Sequence, residues 1–185
     1  RADATKPHGI TSGSSVHRID VALYLLGQPK VSSVVARTYG HFMRQNAERD
    51  GTVCTGLGHD SLIATLHLAN GATITLRDML AAHMEEPNFM QCWFGDLTVY
   101  GSQAGARLHP LTIFQNQNDG SQQITVPPVN NDLRAGHTPA YRHLFACMQA
   151  DADAANQQPH RAVAVMEVID AIFASAAAGG QQITL

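Results

Sequence analysis

His17 and Asp20 are the residues of this 185-residue sequence best spaced to do chemistry together. Imidazole has an ordinary pKa of about 6.5, so it can take or give a proton near neutral pH. In a helix, residues three apart share a face, and a carboxylate there can fix the imidazole tautomer or accept a hydroxyl of a bound molecule. The plainer alternative is a histidine stacked at a helix start beside a solvated aspartate. A second polar group, Arg77, Asp78 and His83, follows the run Ala72–Leu76. A planar guanidinium there could hold a carboxylate or hydroxyls, and solvated loop positions fit the same residues equally well.

The ten histidines contain no HxH or HxxxH pair, and His137 and His143 stand six apart. Their spacing therefore designates no metal site, and a hydrolase assembled around a metal from scattered histidines is the weakest reading. Cys54, Cys92 and Cys147 are odd in number and far apart. They read as reduced, buried thiols of a cytoplasmic protein rather than a disulfide framework or zinc knuckle.

The elements that must position these groups follow from periodicity. Val16, Ile19, Leu23 and Leu26 recur on one helical face; Ser14 or Ser15 could cap the start, and Gly27 with Pro29 ends it. Residues 1–15 form an irregular lead-in, and residues 16–185 are expected to form a single domain. Val31–Thr38 is β-branched, and Gly40–Gly58 reads as a long loop. Leu62–Leu68 alternates, Asn70-Gly71 suggests a tight type I′ turn, and Ala72–Leu76 returns as the second arm of a hairpin. Shorter strands are expected over Phe89–Phe94, Leu97–Tyr100, Ala106–Leu108, Leu111–Gln115 and Gln122–Val126. Two helices follow, one from Thr138 to about Ala150 and one over His160–Ala178 with Val163, Met166, Ile169 and Phe173 as its core face. Gly179-Gly180 stops the second, and Ile183–Leu185 reads as a last strand. Strands joined by turns, with the helices segregated, imply an α+β fold: a mostly antiparallel open sheet with helices packed on one face. No crossover helix separates the strands, and no glycine-rich loop follows one, so no dinucleotide site of the usual kind is expected within the chain.

Composition narrows the function classes. Only Lys6 and Lys30 are lysines, the arginines are scattered and the net charge is −3, which argues against a nucleic-acid surface. No apolar stretch reaches the ~20 residues that cross a bilayer, since Ala162–Ala178 is broken by Glu167 and Asp170. The chain opens on Arg1 with a polar segment, as expected of a processed or excised piece without a signal peptide.

Four segments, in order, resemble the C-terminal domain of the glucose–fructose oxidoreductase/inositol dehydrogenase/rhizopine-catabolism (Gfo/Idh/MocA) family. They are Gly13–Gly27 (GSSVHRIDVALYLLG), His59–Leu76, Leu97–Leu108 (LTVYGSQAGARL) and Val165–Leu185 (VMEVIDAIFASAAAGGQQITL). The resemblance implies a substrate-side domain whose Rossmann partner lies elsewhere in the same polypeptide and binds NAD or NADP. This chain alone would then bind no cofactor and be inactive in isolation. It further implies a sugar, polyol or related hydroxy compound as substrate, and a homo-oligomer formed through the open sheet. His17 takes the role of catalytic base, and Asp20, Arg77 and His83 that of substrate contacts. Catalytic members carry an aspartate four residues before the histidine, where this sequence has Gly13. Lys6-Pro7 is not the family's Glu-Lys-Pro motif, because Thr5 stands in place of the glutamate. The departure at Gly13 leaves two alternatives open: altered chemistry, or a non-catalytic dimerisation or carbohydrate-sensing module with the same fold.

Overall fold

The computed structural model describes residues 11–40, 59–79, 97–107, 111–115, 120, 123–125, 137–150 and 152–185, with backbone only at 11–12, 123, 125, 137, 150 and 152–159. The chain forms two compact units, Arg1–Glu85 with His160–Leu185, and Glu86–Pro159.

In the first unit, β1 (Val31–Tyr39), β2 (Ser61–Leu68), β3 (Thr73–Met79) and β8 (Ile183–Thr184) form an antiparallel sheet in the order β3-β2-β1-β8. Period-two alternation decides which face is covered. Val34, Ala36, Leu62, Ala64, Leu66, Leu68 and Leu76 all point into one core. Their register neighbours on the other face include Arg37, Ile63 and Arg77, a row across three strands that is exposed throughout. Ile19 and Leu23 of α1 (Val16–Leu25) close the core together with Val165, Val168, Ile169 and Ile172 of the long helix α3 (Ala152–Ala177). Both helices thus lie on one sheet face, as the alternation requires.

Local details depart from the sequence expectation in instructive ways. The hairpin tip has three residues rather than two: Leu68 N–H donates to Ala72 O, Gly71 N–H donates to Leu68 O, and Gly71 takes φ +87°. Asn70 keeps a negative φ, so the turn is not type I′; its side chain instead accepts from Ala72 N–H at 3.1 Å. In α3 the core face is Val165, Val168, Ile169 and Ile172, whereas Val163 and Met166 are 54% and 48% exposed. The helix is apolar around much of its girth, and a 3.6-residue period alone does not choose between adjacent stripes. The helix also starts at Ala152, eight residues earlier than its sequence pattern suggested.

Both helices of this unit end in the same way. Gln28 N–H reaches Leu23 O and Gly27 N–H reaches Tyr24 O; Gly180 N–H reaches Ser175 O and Gly179 N–H reaches Ala176 O. These are paired Schellman closures, with Gly27 at φ +81° and Gly179 at φ +70° as the left-handed residues. Buried Ser175 then joins helix to sheet: its Oγ accepts from Ala36 N–H at 2.8 Å and donates to Gln181 O at 2.6 Å. The two-residue β8 pairs only with Ser33 and Val34, so Ser175 takes over where the edge strand runs out.

In the second unit, β4 (Thr98–Tyr100), β5 (Ala104–Arg107), β6 (Thr112–Gln115) and β7 (Gln123–Thr125) form a second antiparallel sheet in sequential order. Gly101 makes the β4–β5 turn possible, because a Cβ there would stand 2.6 Å from Ala104 O. Helix α2 (His137–Ala150) belongs to the same unit. All strand pairs among the described residues are antiparallel, and the architecture is α+β. Phe89–Phe94 and the expected loop at 41–58 lie outside the described residues.

Candidate functional site

Helix α1 is entered through one turn of π-helix, Thr11–Ser15, where the sequence suggested irregular chain. Ser15 is helical (φ −62°, ψ −30°) and caps nothing. Its hydroxyl, fully buried, donates instead to Asp78 Oδ2 on β3 at 2.7 Å. The other oxygen of the same carboxylate, Oδ1, lies 2.8 Å from Arg18 Nη1. Asp78 is 2% exposed and Arg18 19%, so the pair is shielded from water and its attraction little screened. Arg18 Nη1 also approaches Arg77 O at 3.5 Å.

His17 lies between these two tethered residues and is exposed, as is Asp20 one turn on. The structure therefore brings His17 and Asp20 onto one accessible helix. Arg77 is separated from them: strand alternation sends it to the open sheet face, opposite Asp78. His83 lies outside the described residues. Gly13 is exposed, and a Cβ added to it would meet nothing within 4 Å, so the position has room for a side chain.

The buried Ser15–Asp78–Arg18 cluster was not singled out by sequence spacing, although a signal existed. Ile74, Leu76 and Asp78 are in phase on β3, so a carboxylate occupied an inward position that demanded a partner. Two concave regions lie elsewhere. One of about 760 Å³ runs between the end of α1 and α3, lined among others by Leu23, Lys30, Arg161 and Val168. The other, about 600 Å³, lies over β4 and β5 with Arg107 and Phe114 in its wall. Neither is lined by His17. Among the described residues no group of three or more His, Cys, Asp or Glu side chains could hold a metal ion. No described helix is long and apolar enough to cross a membrane. No described strand leads through a glycine-rich turn into a helix, so the described residues offer no cradle for a dinucleotide pyrophosphate.

Residues 1–185 match the oxidoreductase family C-terminal alpha/beta domain of the Gfo/Idh/MocA group. The chain belongs to that family. It is 28% identical over 122 residues to D-glucoside 3-dehydrogenase of Escherichia coli K12, covering 64% of this chain and 33% of that protein. Among solved structures it resembles an inositol dehydrogenase homologue from Azotobacter vinelandii complexed with NADH and myo-inositol, with a TM-score of 0.67 at 12% identity. That alignment covers 95% of this chain and 50% of the other. An NAD-binding protein from Listeria innocua gives a TM-score of 0.63 at 16% identity, over 96% and 48% of the two chains. The WlbA dehydrogenase of Bordetella pertussis, in complex with NADH and UDP-GlcNAcA, gives 0.58 at 18% identity, over 97% and 46%. The chain thus spans about a third of its curated relative and about half of these solved ones.

Proposed function

We propose that this chain is the substrate-side domain of an NAD(P)-dependent oxidoreductase that oxidises a secondary hydroxyl of a sugar, polyol or related compound. One observation carries the reading: an exposed histidine opens α1 in a chain matched along its whole length by this oxidoreductase domain. A nicotinamide bound by the full-length protein would supply the hydride acceptor, and the His17 imidazole takes the proton of the substrate hydroxyl. Asp20, on the same helix, orients the imidazole or accepts a second substrate hydroxyl. The dinucleotide is held by a Rossmann domain elsewhere in the same polypeptide, so the chain alone turns nothing over. Relatives solved with NADH, and with myo-inositol or a nucleotide sugar, support the substrate class. The three scattered cysteines support a reducing, cytoplasmic setting.

The open face of the first sheet, where Tyr39 and Ile63 are 52% and 43% exposed beside Arg37 and Arg77, is the subunit interface of a homo-oligomer in this reading. That assignment moves Arg77 from the substrate to the interface, and His83 stays a candidate substrate contact. The test is NAD(P)H formation by the full-length protein over a panel of cyclic polyols and glycosides. Turnover abolished by His17→Ala is expected, and normal turnover of that variant overturns the assignment. Gly13, where catalytic members carry aspartate, favours a second reading, a dimerisation or carbohydrate-sensing module of the same fold. Saturable sugar binding without any NAD(P)H formation would establish it.

A further inference from the structure

We infer that Asp78 is the positioning residue of the His17 site, acting through Ser15 and Arg18 and touching no substrate itself. The inference rests on the reading of His17 as proton acceptor. Three observations carry it. First, one carboxylate meets residues on both sides of the histidine: Oδ2 receives the Ser15 hydroxyl at 2.7 Å and Oδ1 meets Arg18 at 2.8 Å. Ser15 and Arg18 are three apart and share the inner side of the helix, while each residue turns by about 100°, which carries the His17 side chain away from the tether and into the open.

Second, the chain is already helical at Ser15, at the end of the π-turn that leads into α1, so the hydroxyl is not needed as a cap. It is committed to β3 instead, and fixes the turn that carries His17. Third, the anchor is stiff. Asp78 stands opposite Leu62 in an unbroken seven-pair ladder, on a strand whose inward neighbour Leu76 is buried in the core. A packing role alone would be served by an apolar residue at this inward position. A buried carboxylate needs polar partners, and two of those it has here, Ser15 and Arg18, lie within three residues of His17. A group so held keeps the near-attack geometry on which proton transfer depends.

The experiment uses the full-length protein with isotope-labelled histidine, the His17 ring signals being assigned by their loss in His17→Gln. Asp78→Asn is expected to displace or split those signals. It should lower kcat about tenfold with the KM values within about twofold, as for a misplaced catalytic group. Ser15→Ala should move the signals part of the way in the same direction. Leu76→Ala, which loosens the same strand without touching the tether, should lower the melting temperature and leave the His17 signals in place. His17 signals unmoved in both Asp78→Asn and Ser15→Ala overturn the inference, and Ser15→Ala decides it if Asp78→Asn does not fold. Normal turnover in His17→Gln would instead remove the proton-acceptor reading, while the ring signals still report whether Asp78 governs the histidine.

Discussion

The Ser15 hydroxyl and the Asp78 carboxylate meet at 2.7 Å across 63 residues of sequence, both out of contact with solvent. That bond joins the start of α1 to the third strand of the sheet, and with Arg18 it turns two separate elements into one support. Its neutralisation is reciprocal: the carboxylate is tolerated at an inward strand position because a guanidinium faces it.

Removing one member should therefore cost more than removing both. Asp78→Ala leaves Arg18 partly buried and unpaired, and a loss of about 3 kcal/mol or more is expected. The double variant Asp78→Ala/Arg18→Met should lose clearly less than the sum of the single losses. Denaturant midpoints of the four proteins check both statements.

Restoring an acid at Gly13 is structurally free. A Cβ there meets nothing, and Gly13 is not among the positive-φ glycines, so Gly13→Asp should change stability by no more than about 0.5 kcal/mol. Under the dehydrogenase reading, turnover of the full-length protein should rise; unchanged silence in NAD(P)H assays would favour the module reading.

Ser175→Ala removes the acceptor of the Ala36 N–H and the donor to Gln181 O. An orphaned buried amide costs about 1–3 kcal/mol, so the melting temperature should fall, and hydrogen exchange at Ala36 should accelerate more than at Ala64 on the neighbouring strand.

Ile63→Glu places a charge in the middle of the open face, beside Arg37 and Arg77 in register. Sedimentation velocity should show the full-length oligomer shifted toward monomer with the melting temperature of the separated subunit little changed. An unaltered oligomer would move the interface elsewhere.

The helix at Val16, the strand at Val31 and the hairpin arms were legible because each buries one face and so repeats with a fixed period. The hairpin tip was less so, since Asn-Gly serves two turn geometries and only the three-residue loop matches the register of Leu68 against Ala72. The inner stripe of α3 was misassigned for a similar reason: valine and methionine at 163 and 166 repeat as well as valine at 165 and 168, and contact with the sheet chooses between them. That His17 and Asp20 stand one turn apart on a helix was legible from the same periodicity. Their support was not, because the partners of Asp78 lie some sixty residues away in sequence and only pairing of β3 brings them close.

Strand β1 pairs on one side with β2 and on the other with β8, whose residues lie about 150 positions later. The first unit is thus assembled from both ends of the sequence, with the second unit spliced between them. Closing so long a loop carries an entropic toll paid before its contacts form, and topologies of this kind fold slowly. During synthesis the hairpin precedes α3, and the part of its apolar face that α1 does not cover stays open until α3 has left the ribosome. Apolar surface left open in this way is prone to wrong association, and truncations that spare every site residue but remove the last helix should aggregate rather than merely lose activity.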